Sequence, residues 1–271
     1  MTSGGQYPEM LTSLRPPILG LILDMDGVLW AGNEALIDLP AAFRRMRDLG
    51  LRVILTTNNA TRTPAQFAEK LRSFGVEFEP DRIINSPIAV TGLLEGRFPG
   101  GGPVYVFGEE GLRTTLGEHG YYHSEERVVA VVVGLNRKAV FDDFCTAMRL
   151  IRGGAPFIGT NPDTTFPQPN GVLIPGGGAF IAFLEAATGV KPTIVGKPFP
   201  FLFSLALKRL GTTPEETLAV GDRLDTDIVG ARNAGCKTGL VLSGASRRED
   251  LEGFSPQPDL IAKDLMVMLT S

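Results

Sequence analysis

Only two cysteines, two histidines and one tryptophan occur among the 271 residues, and no apolar run approaches the roughly 18 residues that cross a bilayer. Cys145 and Cys236 are far apart and neither sits in a paired-ligand spacing, so neither a zinc site nor a disulfide framework is expected. The amino-terminal stretch MTSGGQYPEMLTSLRPP lacks a basic segment followed by an apolar one and does not read as a secretory leader. There is no excess of positive charge either: 26 Lys and Arg stand against 30 Asp and Glu, with no basic stripe. Nucleic acid and membrane are therefore not expected partners, and the expectation is a soluble, cytoplasmic protein.

What the chain does have is a series of short apolar runs that end abruptly in small or acidic residues. Ile18 to Leu23 meets Asp24, Leu51 to Leu55 meets Thr56-Thr57-Asn58-Asn59, and Thr193 to Val195 meets Gly196-Lys197. Thr217 to Val220 meets Gly221-Asp222, and Gly239 to Leu242 meets Ser243-Gly244. Runs without polar alternation predict strands covered on both faces, hence a parallel sheet. Helical spacing fills the intervals at Pro40 to Leu49, Pro64 to Phe74, Phe199 to Leu210 and Asp227 to Ala234, each followed by glycine as a stop signal. The alternation predicts an α/β fold, a doubly wound and mostly parallel Rossmann-like sheet.

A second unit is expected in the middle. The stretch GLLEGRFPGGGP from Gly92 to Pro103 reads as a linker or hinge. Strands follow at Val104 to Phe107 and Val128 to Val133, with helices at Phe141 to Arg152 and Ala179 to Thr188. The expected organisation is a core of residues 1–98 and 192–271 with a smaller α/β domain, residues 99–191, inserted in it.

Ligands of parallel sheets bind at the carboxyl ends of the strands. Those ends carry Asp24, Asp26, Thr57, Asn58, Lys197, Asp222 and Asp227. Carboxylates gathered at one edge repel unless a cation relieves them, and an all-oxygen donor set selects magnesium over zinc or copper. Magnesium also accepts a phosphate oxygen, which points to phosphoryl chemistry.

Asp24-Met25-Asp26-Gly27-Val28, Thr57-Asn58-Asn59, Gly196-Lys197-Pro198 and Gly221-Asp222 with Asp227 together resemble the motifs of the haloacid dehalogenase superfamily. Thr160-Asn161-Pro162-Asp163 and Pro175-Gly176-Gly177-Gly178-Ala179 are similar to the branch with a large α/β cap, which includes phosphoglycolate, 4-nitrophenyl phosphate and nucleotide phosphatases. Any one motif would be weak, but four in order at strand ends are specific, and the resemblance runs from about Leu21 to Leu242.

The resemblance implies a magnesium-dependent phosphatase of small phosphate monoesters that works through an aspartyl-phosphate. Asp24 would be the nucleophile and Asp26 the general acid and base, with a backbone carbonyl on the metal. Thr57 and the backbone at Asn58 would hydrogen-bond the phosphoryl oxygens, Asn59 would belong to the same substrate-binding set, and Lys197 would bind the substrate too, neutralising charge on nucleophile and phosphate. Asp24, Asp26, Asp222 and Asp227 would form the metal set, with Asp227 holding a metal-bound water or supporting the site. The family also admits a homodimer through its caps. A phosphomutase of the same superfamily, or a non-catalytic phospho-ligand binding protein, is the alternative; a dehalogenase would lack the acid at Asp26.

Plainer roles are expected for other residues. Asp225 reads as a solvated turn residue, Thr63 as a helix cap, the glycines 176–178 as a tight turn, and His119 and His123 as surface residues. Trp30 is left open between packing on substrate and filling a domain interface. Since every catalytic candidate lies outside the insert, the insert is expected to choose the substrate, with Asn161 to Gly178, and Asp163 and Asn170 in particular, as the contact loop.

Overall fold

The computed structural model describes residues 11–167 and 172–270. In chain order, β1 (Gly20–Asp24) leads through the short pair β2 (Trp30–Ala31) and β3 (Glu34–Ala35) to α1 (Leu39–Asp48), β4 (Arg52–Thr57), α2 (Pro64–Ser73) and β5 (Ile83–Asn85). Next come α3 (Ser86–Arg97), β6 (Gly102–Phe107), α4 (Glu110–Glu118), β7 (Tyr121–His123), β8 (Ala130–Val133), α5 (Phe141–Arg152) and β9 (Phe157–Gly159). The pair β10 (Thr165–Pro167) and β11 (Leu173–Pro175) precedes α6 (Gly177–Thr188) and β12 (Thr193–Ile194). The chain closes with α7 (Phe201–Leu210), β13 (Thr217–Gly221), a π-helical segment Leu224–Ile228, α8 (Val229–Asn233), β14 (Lys237–Val241), β15 (Leu260–Ala262) and α9 (Leu265–Thr270).

These elements form two parallel sheets. One has six strands in the order β15-β14-β13-β1-β4-β5; the other has five in the order β12-β9-β8-β6-β7. In the first, β1 pairs with β13 on one side and β4 on the other, and β1 and β13 are buried along their whole length. That double burial is why these strands read as unbroken apolar runs. The second sheet packs against α5 and α6 through Tyr105, Phe107, Val131, Ala147, Ile151 and Leu184.

Packing divides the chain into two units, the first drawn from Met1–Thr57, Ala68–Ile83 and Phe203–Ser271, the second from Asn58–Phe67 and Ile84–Leu202. The second unit contains all of residues 99–191 together with α3, residues 58–67 and residues 192–202.

The Thr63 cap and the glycine stops act as expected, and a further cap is found at Asp38. Asp38 caps α1, accepting from Ala41 N at 2.9 Å, while Leu39, Ala42 and Met46 turn one face inward. Thr63 and Gln66 form a reciprocal capping box on α2: Gln66 N donates to Thr63 Oγ1 at 3.3 Å and Thr63 N to Gln66 Oε1 at 2.9 Å. Gly50, Gly75 and Gly211, just past α1, α2 and α7, all take positive φ.

Two expectations are corrected. The stretch from Gly92 to Pro103 is not a linker through its length: α3 runs to Arg97 and β6 begins at Gly102. Interior glycines cost a helix about 1 kcal/mol each, but α3 is capped by Asn85, which accepts from Ile88 N, and buries Ile88, Ala89, Val90 and Leu94. The run Thr193 to Val195 is not a strand of the first sheet; β12 pairs in parallel with β9 at the edge of the second. So short a run carries no signal of which sheet it will join. The strands β5, β7 and β15, each of three residues, were too short to show as apolar runs.

Candidate active site

The first unit gathers three acids. Asp24 ends β1, Asp222 follows β13 on the neighbouring strand, and Asp227 lies in the π-helical segment after it. One carboxylate oxygen from each lies within 4.8 Å of the other two, and the residues are only 9%, 5% and 5% exposed. Carboxylates buried this close repel one another, and a cation bound among them relieves that repulsion.

The surrounding backbone is shaped to hold this cluster. Asp222 Oδ2 accepts from Ala245 N at 2.6 Å, its backbone carbonyl accepts from Ser246 N at 3.0 Å, and Asp227 Oδ2 accepts from Arg223 N at 3.1 Å. A Cβ on Gly27 or Gly244 would collide with the Asp222 carboxylate, and one on Gly221 with Asp227. Gly27 also takes φ +83°, a region side chains avoid. Ser243 Oγ donates to the Gly27 carbonyl at 2.7 Å, tying the two approaching loops together. An oxygen-only set with hydrogen-bonded carboxylates and clearance made by glycine suits a hard divalent cation. Sequence reasoning named Ser243-Gly244 as a strand end but gave the run Ser243-Gly244-Ala245-Ser246 no place in the site; its signal was small residues directly after an apolar strand.

Asp26, unlike the three buried acids, is exposed, and its Oδ1 accepts from Trp30 Nε1 at 2.9 Å. Trp30 is fully buried within the first unit, stacks on Phe74 with ring centroids 6.0 Å apart, and lies 4.1 Å beneath Lys70 Nζ. Its place is thus internal packing, with the indole N–H turned to Asp26. Thr57 is buried at the end of β4.

Asn58, Asn59 and Lys197 belong to the second unit. Asn58 and Lys197 are brought together: Lys197 N donates to Asn58 Oδ1 at 2.7 Å, and Asn58 Nδ2 donates to the Lys197 carbonyl at 3.0 Å. Asn59 spends its Oδ1 on the N–H and hydroxyl of Thr61, both at 2.8 Å. Lys197 is 2% exposed. Asp163 Oδ2 accepts from Asn58 Nδ2 at 2.9 Å, whereas Asn170 lies outside the described residues.

The plainer residues also have clear places. Asp225 is exposed and pairs with Arg223 at 2.8 Å; partial desolvation raises its carboxyl, but the guanidinium outweighs it and holds the group below the usual range. Gly176 and Gly178 admit the backbone of residues 162–165, where a Cβ would clash. His119 Nδ1 meets Glu95 at 2.8 Å, while His123 Nδ1 accepts from Val106 N at 3.1 Å.

Comparison with known proteins agrees with this arrangement. The family signature described as haloacid dehalogenase-like hydrolase matches residues 21–122, and a second, HAD-hydrolase-like signature matches residues 194–267. The chain is 36% identical to the 5'-nucleotidase YutF of Bacillus subtilis over 239 residues, 88% of this chain and 93% of the relative. It is 35% identical to the acid sugar phosphatase of Staphylococcus aureus over 245 residues, 90% of this chain and 94% of that one. The solved p-nitrophenyl phosphatase of Archaeoglobus fulgidus superposes with a TM-score of 0.88 at 33% identity, covering 93% of this chain and 98% of its own. With both sheets, the acid cluster and near full-length similarity in agreement, the chain belongs to the haloacid dehalogenase-like hydrolases, in the p-nitrophenyl phosphatase branch that carries an inserted α/β cap.

Proposed function

We propose that this protein hydrolyses small phosphate monoesters, of nucleotide, sugar phosphate or phosphoglycolate type, through a phosphorylated Asp24 and with magnesium as cofactor. The observation that carries the proposal is the buried Asp24, Asp222 and Asp227 cluster at the carboxyl ends of adjacent parallel strands. The names of the nucleotidase and sugar phosphatase relatives support the substrate class.

Asp24 attacks phosphorus, a mixed anhydride forms, and the P–O bond to the alcohol breaks. Asp26 gives its proton to the departing alkoxide, then takes one from water as that water attacks the anhydride phosphorus, which frees inorganic phosphate and restores Asp24. Trp30 Nε1 holds the Asp26 carboxylate in one orientation for both transfers. Thr57, Asn58 and Asn59 are assigned to the phosphoryl group on their motif positions, and Lys197 is assigned to balancing its charge. Asp24, Asp222 and Asp227, with the Asp26 carbonyl, would hold magnesium, which when bound neutralises the carboxylates and draws charge from the phosphoryl oxygens.

Residues 99–191 are assigned the choice among organic groups, since the acids and Lys197 serve any phosphomonoester alike. A homodimer through this segment belongs to the same reading, supported by the exposed apolar side chains of Val140, Phe141 and Phe183. Cys145 and Cys236 are both free, which suits a reducing compartment such as the cytoplasm. No helix among the described residues is long and apolar enough to cross a membrane.

The deciding experiment is phosphate release from 4-nitrophenyl phosphate and a panel of metabolite phosphates, with magnesium or with chelator, for wild type and Asp24→Asn. Wild type should need magnesium, and the variant should fold yet lose several orders of magnitude in turnover. More than a few percent residual activity in Asp24→Asn, or full activity in excess chelator, would sink the mechanism.

A further inference from the structure

The side chain of Asn58 is spent on its own protein. Its Oδ1 accepts from the Lys197 N–H at 2.7 Å, and its Nδ2 donates to the Lys197 carbonyl at 3.0 Å and to Asp163 Oδ2 at 2.9 Å. A primary amide has two N–H donors, and both are taken. The backbone carbonyl of Asn58 accepts from Ser86 Oγ at 2.7 Å and from Asn161 Nδ2 at 2.8 Å, so the residue that does the holding is itself held. Asn161 Oδ1 in turn accepts from Asp163 N at 3.1 Å. Gly196 completes the arrangement: a Cβ there would strike Asn58 Oδ1 and the Thr160 carbonyl, so only glycine lets the Lys197 backbone come this close.

The chemistry of the contacts gives each residue a distinct job. An amide that meets both the N–H and the C=O of one residue fixes its backbone in position and rotation, as one strand fixes its neighbour. The amide works in only one orientation, because reversing it would set its NH2 against the Lys197 N–H. Asp163 strengthens that preference, since a carboxylate accepts from the NH2 end and repels the carbonyl end, and a charge-assisted bond is roughly twice as strong as a neutral one.

We propose that Asn58 and Asp163 are positioning residues for Lys197: Asn58 clamps the lysine backbone and Asp163 locks the orientation of the clamp. This rests on the reading that Lys197 serves the phosphoryl step. It assigns Asp163 a task in the common chemistry rather than in choosing among substrates, and it accounts for the Asn58 side chain without requiring it to touch phosphate.

The test is a double-mutant cycle on kcat/KM with 4-nitrophenyl phosphate, using Asn58→Ala, Lys197→Ala and the double variant, with thermal unfolding as the folding control. Misplacing a catalytic group by about 1 Å costs roughly 100-fold, so Asn58→Ala should lose about that much in the wild-type background. In the Lys197→Ala background it should lose less than about threefold, because the group it positions is gone. Equal losses in both backgrounds would mean an independent or structural role and would overturn the proposal. Should Asn58→Ala not fold, the cycle is run with Asp163→Ala, expected to lose about tenfold. Asp163→Ala should also weaken 4-nitrophenyl phosphate and natural esters by the same factor; a reordering of preferences among them would overturn its assignment. Wild-type activity in Lys197→Ala would show that the role given to Lys197 had failed, and this proposal with it. An impaired Lys197→Ala with additive losses would refute the positioning alone.

Discussion

Replacing Asp227 with asparagine removes one of three carboxylates, each of which has an oxygen within 4.8 Å of the other two. At an effective dielectric of about 20, two unit charges at that separation repel by about 3.5 kcal/mol, and Asp227 takes part in two of the three pairs. Side-chain relaxation and water reaching the cluster relieve much of this, so the net gain from Asp227→Asn should be about 1–2 kcal/mol. The substitution keeps the shape and an oxygen to accept from Arg223 N. For a chain of this size 1 kcal/mol moves Tm by about 2–4 °C, and the variant in chelator should melt about 2–8 °C above wild type. Magnesium should reverse the order of benefit. At 100 times its Kd a ligand adds about 2.7 kcal/mol; a variant whose Kd has risen 10- to 100-fold gains only about 0.4–1.4 kcal/mol at the same concentration. Thermal melts of both proteins in chelator and in magnesium at neutral pH measure both quantities. A variant that melts lower than wild type in chelator, or keeps the full magnesium shift, would refute repulsion relieved by a shared cation.

Two further outcomes are expected. Asp26→Ala should slow esters with poor, alkoxide-like leaving groups more than 4-nitrophenyl phosphate, whose phenolate departs with little help; equal losses measured on both would mean that Asp26 serves the metal or the fold. Replacing Phe141 and Phe183 together with serine should convert a dimer to a monomer in light scattering with little change in Tm, because both side chains are exposed in the single chain. A monomeric wild type, or an unchanged dimer, would remove the cap interface from the proposal.

Much of the core was legible because burial on both faces leaves a plain mark in the chain. The runs at β1 and β13 are apolar throughout since each strand is covered above and below, and the ladders then bring their carboxyl ends to one edge. Asp24 and Asp222 stand directly at those ends, so their neighbourhood followed from periodicity and from the chain reversing through helices that stop at glycine. Elements that are short, or stabilised by partners distant in sequence, left no such mark. Thr193–Ile194 joins the second sheet because β9 is there to pair with it, and α3 survives two interior glycines because its apolar face is buried.

Roles set by side-chain geometry were decided only by the tertiary structure. Asp225 and Asp227 are two residues apart, yet one is exposed beside Arg223 and the other is buried with Asp24 and Asp222, since the π-helical turn carries them to different sides. Trp30 was ambiguous in the chain because an indole packs equally well against protein or ligand; the fold encloses it and points its N–H at Asp26. Asn58 lies 139 residues from Lys197, and no local pattern announces that one amide will clasp the other's backbone. Double burial marks a strand along its own length, and so the sequence by itself determined the central strands of the first sheet and the acids at their ends. Which polar group meets which depends on distances between segments remote in sequence, and only the folded structure sets those.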